Sequence, residues 1–120
     1  ALSYLTEDAE IALTAYGTPA RIVKSAVNEL RKQGIKAGCI RPITLWPFPD
    51  DAYAACAERE CTKAFLCVEL SLGQMVEDVK LAVNGKKPVF FYGRTGGNVP
   101  EEGEIVRAAK DALARAEVRR

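Results

Sequence analysis

Residues 10–120 predict a three-layer α/β/α sandwich built on a mostly parallel sheet. Two observations lead there: a strand-like run is followed by a helical pattern four times, and the strand-like runs are apolar throughout rather than at alternate positions. Strands that alternate with helices join through crossover connections, and strands that are apolar on both faces need a helical layer on each. A chain of 120 residues with 48% apolar content supports one such core and not two. Residues 1–9 fall outside the pattern and read as a linker or partial edge strand from an upstream domain.

The first unit pairs EIALTAY (10–16) with TPARIVKSAVNELRKQ (18–33), where Val23, Ala26, Val27 and Leu30 recur at helical spacing. Thr18 is positioned to cap this helix and Pro19 suits its first turn, while Arg31, Lys32 and Gly34 are C-terminal signals. The second unit is KAGCIRP (36–42), the proline-stiffened loop ITLWPFP (43–49), and a helix opening near Pro49 with Asp50 and Asp51 in its first turn. The third is AFLCVEL (64–70) followed by SLGQMVEDVKLAVNG. Ser71 and Gln74 there have the spacing of a capping box, Leu72, Met75, Val76, Val79 and Val83 share a face, and Asn84-Gly85 ends the helix. The fourth is PVFFY (88–92), a glycine-rich loop, and a helix that turns Ile105, Ala109, Ala112, Leu113 and Ala116 inward before a fraying EVRR tail.

Composition removes many functions. With 17 Lys plus Arg against 16 Asp plus Glu, and no block of about five like charges, the chain carries no footprint for nucleic acid or an anionic membrane surface. No stretch approaches the roughly 18 apolar residues of a membrane span, so the chain reads as soluble and cytoplasmic. It contains no histidine, which excludes the triads and imidazole chemistry of many enzymes. Cys39, Cys56, Cys61 and Cys67 match neither zinc nor iron–sulfur spacing, and Cys39 and Cys67 read as small buried hydrophobes. No catalytic, cofactor-binding or metal-binding residue is expected.

In an open parallel sheet, ligands and partners gather at the carboxyl ends of the strands. GRTGG (93–97) matches neither a P-loop nor a dinucleotide fingerprint, which leaves a turn with a surface Arg94 as the plainer reading. Ser71 and Gln74 are first a helix cap, with anion binding at the same helix N-terminus as the alternative. Gly73 is unexplained by helix propensity and suggests a close approach there. Arg41 and Glu69 end successive runs and read as a structural salt bridge. Trp46 and Phe48 either tuck under the domain's own edge or meet a partner.

AYGTPARIVKSAV (15–27), IRPITLWPFP (40–49), VELSLGQMVEDVKLAVNGKKPV (68–89) and FYGRTGG (91–97) resemble, in order and spacing, the C-terminal domain of the α subunit of 2-oxoacid:ferredoxin oxidoreductases. The resemblance spans about Thr6 to Gly97. It implies the transketolase C-terminal fold, with an antiparallel edge strand near the start that residues 1–6 supply in part. It also implies an enzyme complex that converts a 2-oxoacid, CoA and oxidised ferredoxin to acyl-CoA, CO2 and reduced ferredoxin, using thiamine diphosphate, Mg2+ and iron–sulfur clusters held outside this domain. The implied partners are the upstream pyrimidine-binding domain of the same subunit, the other subunits and, through the complex, ferredoxin. Glu69, Ser71, Gly73, Gln74, Arg94 and Thr95 become contact candidates by motif match, beside Arg41, Trp46 and Phe48. VFFYG becomes a buried strand ending in a contact loop anchored by Arg94. The substrate is chosen elsewhere, with a branched-chain 2-oxoacid such as 2-oxoisovalerate preferred.

Rival readings are weaker. A free-standing βα regulatory or binding module of the receiver type needs acidic residues where this chain has Ala15-Tyr16-Gly17, and a thiol enzyme needs a base near Cys67 that only Lys63 or Glu69 approaches in sequence.

Overall fold

The computed structural model describes residues 2–15, 19–42, 50–69, 74–93 and 100–118. In chain order these form β1 (Leu2–Tyr4), β2 (Ile11–Ala15), α1 (Pro19–Lys32), β3 (Ala37–Arg41), α2 (Asp50–Glu58), β4 (Ala64–Glu69), α3 (Gln74–Val83), β5 (Val89–Gly93) and α4 (Glu102–Val118). The strands make one sheet in the order β1-β3-β2-β4-β5, parallel except for β1, which runs antiparallel to β3.

The two faces of the sheet carry separate cores, because successive side chains of a strand point to opposite sides. Ile11, Leu13 and Ala15 of β2, with Leu66 and Val68 of β4, pack against α1 and α4. Ala12 of β2, Ile40 of β3, and Phe65 and Cys67 of β4 pack against Tyr53 and Cys56 of α2 and Met75, Val76 and Val79 of α3. Every residue of β2 and β4 is buried, the signature of strands covered twice.

Helix α1 places Val23, Ala26, Val27 and Leu30 in the core as its periodicity predicts. Its end is a Schellman motif: the Ile35 amide donates to Leu30 O (2.9 Å) and the Gly34 amide to Arg31 O (3.0 Å), with Gly34 at φ +85°. Helix α3 closes at Asn84 and Gly85, both at positive φ, and α4 buries Ile105, Ala109, Ala112 and Ala116, with Leu113 partly covered.

The segment between β1 and β2 is bound tightly to the rest. Arg31 donates from Nη2 to Leu5 O (2.9 Å), from Nε to Ala37 O (2.7 Å), and pairs with Asp8 at 2.7 Å. Thr62 donates to Ala9 O (2.8 Å) and Arg59 to Thr6 O (3.1 Å). Gly38 is needed for this docking, since a Cβ there would lie 2.5 Å from Leu5 O. That backbone-on-strand approach has no local sequence signal apart from a glycine inside a strand.

One expectation is corrected. β5 is not a buried strand: it lies at the sheet edge with β4 as its only neighbour, all five of its residues are half-buried or exposed, and Phe91 is 46% exposed. Its apolar run gives the same local pattern as a central strand, and only the strand order distinguishes the two.

Candidate functional site at the carboxyl edge of the sheet

The four parallel strands end nearly level. Ala15 pairs with Val68 and Glu69 with Gly93, and Thr14 pairs with Ile40, one residue before the end of β3. At this edge the described residues form three side-chain ties, each fastening the first turn of a helix to the end of a strand.

The first tie joins β2 to α2: Thr14 and Tyr53, both fully buried, share a hydroxyl–hydroxyl hydrogen bond of 2.5 Å. Burial pushes the Tyr53 phenol well above its usual range, with the Thr14 hydrogen bond opposing. Tyr53 is therefore a neutral structural group. The second tie joins β4 to α3. Glu69 accepts from the Met75 amide at Oε1 (2.7 Å) and from the Val76 amide at Oε2 (3.0 Å). These are the second and third residues of the helix, the amides that an N-cap side chain normally satisfies. The residue preceding the helix in sequence is Gly73, which has no side chain to offer, so a carboxylate from the strand end does this work and sets a negative charge against the positive end of α3. The third tie joins β5 to α4 through a hydrogen bond from the Tyr92 hydroxyl to Glu104.

Two sequence readings change as a result. Arg41 and Glu69 do not pair: β2 lies between β3 and β4, Arg41 is exposed at the end of β3, and both Glu69 oxygens are taken by α3. The Met75 and Val76 amides of α3 are likewise closed to an anion, because Glu69 accepts from both. The described part of helix α3 runs over Gln74–Val83. Trp46, Phe48, Ser71, Gly73, Arg94 and Thr95 lie outside the described residues, as does the Gln74 side chain. Of the nine contact candidates the structure thus describes Arg41, exposed, and Glu69, turned inward. It adds Thr14, Tyr53, Tyr92 and Glu104, whose only sequence signal is a polar group set in an apolar run or in a first helical turn.

Three of the four thiols are equally unsuited to chemistry. Burial raises the Cys39 thiol to about 11 and pushes Cys56 and Cys67 up as well, the negative charge of Glu69 adding to the effect at Cys67. Among the described residues no three His, Cys, Asp or Glu side chains gather as a metal site. At this edge the described side chains fit neither a diphosphate with its magnesium nor an iron–sulfur cluster: Glu69 is committed to helix amides and Glu104 to Tyr92, and three of the four cysteines are buried as neutral thiols.

The sequence profile of the pyruvate:ferredoxin oxidoreductase core domain II matches residues 9–105. The chain belongs to that family. It is 48% identical over 108 residues to the ketoisovalerate oxidoreductase subunit VorB of Methanothermobacter marburgensis, covering 90% of this chain and 30% of the relative. It is 39% identical over 102 residues to the 2-oxoglutarate synthase subunit KorA of Methanothermobacter thermautotrophicus, covering 85% of this chain and 27% of the relative. The chain thus spans about a third or less of the curated relatives it matches. As a fold, domain II superposes on the 2-oxoglutarate:ferredoxin oxidoreductase of Magnetococcus marinus with a TM-score of 0.76 at 23% identity, covering 88% of this chain and 18% of that one. It superposes on a split-gene transketolase with a TM-score of 0.78 at 20% identity, covering 94% of this chain and 41% of that one. The transketolase-like architecture expected from the resemblance is the one observed. No described helix is long and apolar enough to cross a membrane.

Proposed function

We propose that this domain II is a supporting and subunit-contact module of a cytoplasmic, thiamine diphosphate-dependent 2-oxoacid:ferredoxin oxidoreductase. In that enzyme a 2-oxoacid, CoA and oxidised ferredoxin give acyl-CoA, CO2 and reduced ferredoxin. Thiamine diphosphate, Mg2+ and the iron–sulfur clusters are bound by other parts of the complex, and the domain packs on the upstream pyrimidine-binding domain of its own subunit and on neighbouring subunits. One observation carries the reading: Thr14, Tyr53, Glu69, Tyr92 and Glu104, the polar side chains tied at the carboxyl edge, hold helices to strands. Residues 43–49, 70–73 and 94–99 each connect one fixed end to another, a frame on which Trp46, Phe48, Ser71, Gly73, Gln74, Arg94 and Thr95 act as contacts, with Arg41 exposed beside them. The 48% identity to VorB, against 39% to KorA, favours a branched-chain 2-oxoacid such as 2-oxoisovalerate as substrate.

The test separates assembly from folding. Trp46→Ala and Arg94→Ala are introduced into the full-length subunit, and retention of partner subunits on a sizing column is compared with the melting temperature of the 120-residue chain. Loss of assembly by on the order of 2 kcal/mol for Trp46→Ala, with the melting temperature of the chain held, supports the contact role. Unfolding of the chain with assembly intact sinks it. Titration of the chain with thiamine diphosphate and magnesium should leave the amide resonances of the carboxyl edge, at Thr14, Tyr53, Glu69 and Tyr92, unshifted.

A further inference from the structure

The end of the sheet opposite the carboxyl edge holds a recess of about 720 Å³. Lys63 precedes β4, Lys80 lies in the last turn of α3, Lys86 and Lys87 follow the Gly85 turn, and Ala116 of α4 closes one wall. This size falls within the roughly 300–1,000 Å³ of small-ligand sites. Gly85 and Ala116 contribute almost no side-chain volume, and four ammonium groups share the lining with no carboxylate.

Cations are expected where a helix ends, because the last carbonyls of α3 carry partial negative charge. One or two lysines would meet that need, and four exceed it. The carboxylates that approach do so from outside the lining. Glu10 and Glu117 stand 3.7 and 3.8 Å from Lys63 Nζ, and Glu58 pairs with Lys86. Lys87 donates to Arg59 O at 3.1 Å, and among the described residues neither Lys80 nor Lys87 has a carboxylate partner. The Glu117 and Glu58 side chains are 65% and 62% exposed, so their pairs are screened and readily exchanged for a stronger anion. Several compact ammonium charges around a small recess suit phosphate groups better than a single carboxylate, since each lysine acts as a point charge on a multiply charged ligand.

We propose that this recess is a second binding site, for a small anion bearing two or more linked phosphates held by Lys63, Lys80, Lys86 and Lys87. The site is separate from the contact loops and does not depend on the role proposed for them.

The probe is sodium tripolyphosphate, titrated into the 120-residue chain at constant ionic strength while backbone amide resonances are followed. Saturating shifts centred on Lys63, Lys80 and Gly85–Lys87 are expected. The double variant Lys80→Gln/Lys87→Gln should weaken the affinity by about tenfold or more. The control Lys32→Gln/Lys110→Gln, which removes the same charge from exposed positions on α1 and α4, should leave it within about twofold. Both variants change surface side chains, and an unchanged melting temperature confirms that each is folded. Shifts that fail to saturate, shifts spread evenly over all lysines and arginines, or equal weakening in the two double variants would each overturn the proposal.

Discussion

Removing the Glu69 carboxylate should loosen α3 from the sheet without disturbing either core. In the native structure its two oxygens accept from Met75 and Val76 at 2.7 and 3.0 Å, and the residue is 7% exposed. Each hydrogen bond to a charged group contributes about 1.5–3 kcal/mol, which would suggest as much as about 6 for the pair. The lower end is the realistic one. The tie sits at the sheet's edge, water reaches the vacated amides once the side chain is shortened, and loss of an ordinary N-cap destabilises by about 0.5–2 kcal/mol. For Glu69→Ala we therefore expect about 2–3 kcal/mol, or roughly 10 °C in melting temperature for a domain of this size. Glu69→Gln keeps one carbonyl oxygen but turns an NH2 group towards a helix amide, so it should lose about 1–2 kcal/mol. Glu77→Gln, in the same first turn but exposed, should stay within about 0.5 kcal/mol of the native protein. Urea unfolding gives the energies, and native-state hydrogen exchange at the Met75 and Val76 amides gives the location. If Glu69→Gln is as stable as the parent and exchange at those two amides is unchanged, the carboxylate does not hold the helix.

Four further outcomes follow from the same geometry. Tyr53→Phe removes one partner of a fully buried hydroxyl pair and should destabilise by about 1–2 kcal/mol in urea unfolding, with little change in the burial of the ring. The Arg31 hydrogen bond holds the Asp8 carboxyl below the usual carboxylate range, so its stabilisation is present above the unfolded value and is lost as pH falls through the lower folded one; Asp8→Asn should lower stability slightly at neutral pH, flatten the acid limb of the stability curve and converge on the parent at low pH. Of the four thiols only Cys61 is exposed, so one equivalent should react promptly with a disulfide reagent at pH 8 and three only on unfolding. Because burial pushes the folded Cys39 thiol up to about 11, the unfolded chain ionises first and stability should decline from about pH 9 upward, a decline that Cys39→Ala should reduce.

The layers of this fold were legible because their signals are local. Val23, Ala26, Val27 and Leu30 repeat at helical spacing, and Gly34 marks the stop that becomes a Schellman motif. The unbroken apolar runs of β2 and β4 announce strands covered on both sides. What was not legible is fixed by which strands become neighbours. The exposure of β5 depends on its place at the end of the order, and the failure of Arg41 to reach Glu69 depends on β2 lying between their strands. The Glu69 tie was hidden for a similar reason. The Met75 and Val76 amides are satisfied by a residue on the preceding strand, a solution that becomes available only once strand and helix are packed. Thr14 and Tyr53 lie 39 residues apart, and no periodicity connects them.

The ties at the carboxyl edge bear on how one domain serves enzymes named for different acids. Relatives called ketoisovalerate oxidoreductase, 2-oxoglutarate synthase and pyruvate synthase subunits align over 90%, 84% and 96% of this chain, at 48%, 37% and 28% identity. A domain that selected the acid would have to present different side chains to each, whereas the tied residues here face inward and contribute to packing. Binding energy at an interface is concentrated in a few well-packed anchors, and those anchors work best when the backbone that carries them is already fixed. Fastening α2, α3 and α4 to the ends of β2, β4 and β5 supplies that fixed backbone. Under the proposed contact role, residues between the ties are then able to change while the sheet and helices stay the same. On this reasoning, exchanging residues 43–49 and 94–99 between this chain and a 2-oxoglutarate-type relative should alter which subunits assemble and leave the acid specificity of the assembled enzyme with the other domains. A transfer of acid preference along with these loops would place part of the specificity here, and would require the edge to do chemistry that its described residues are not arranged to do.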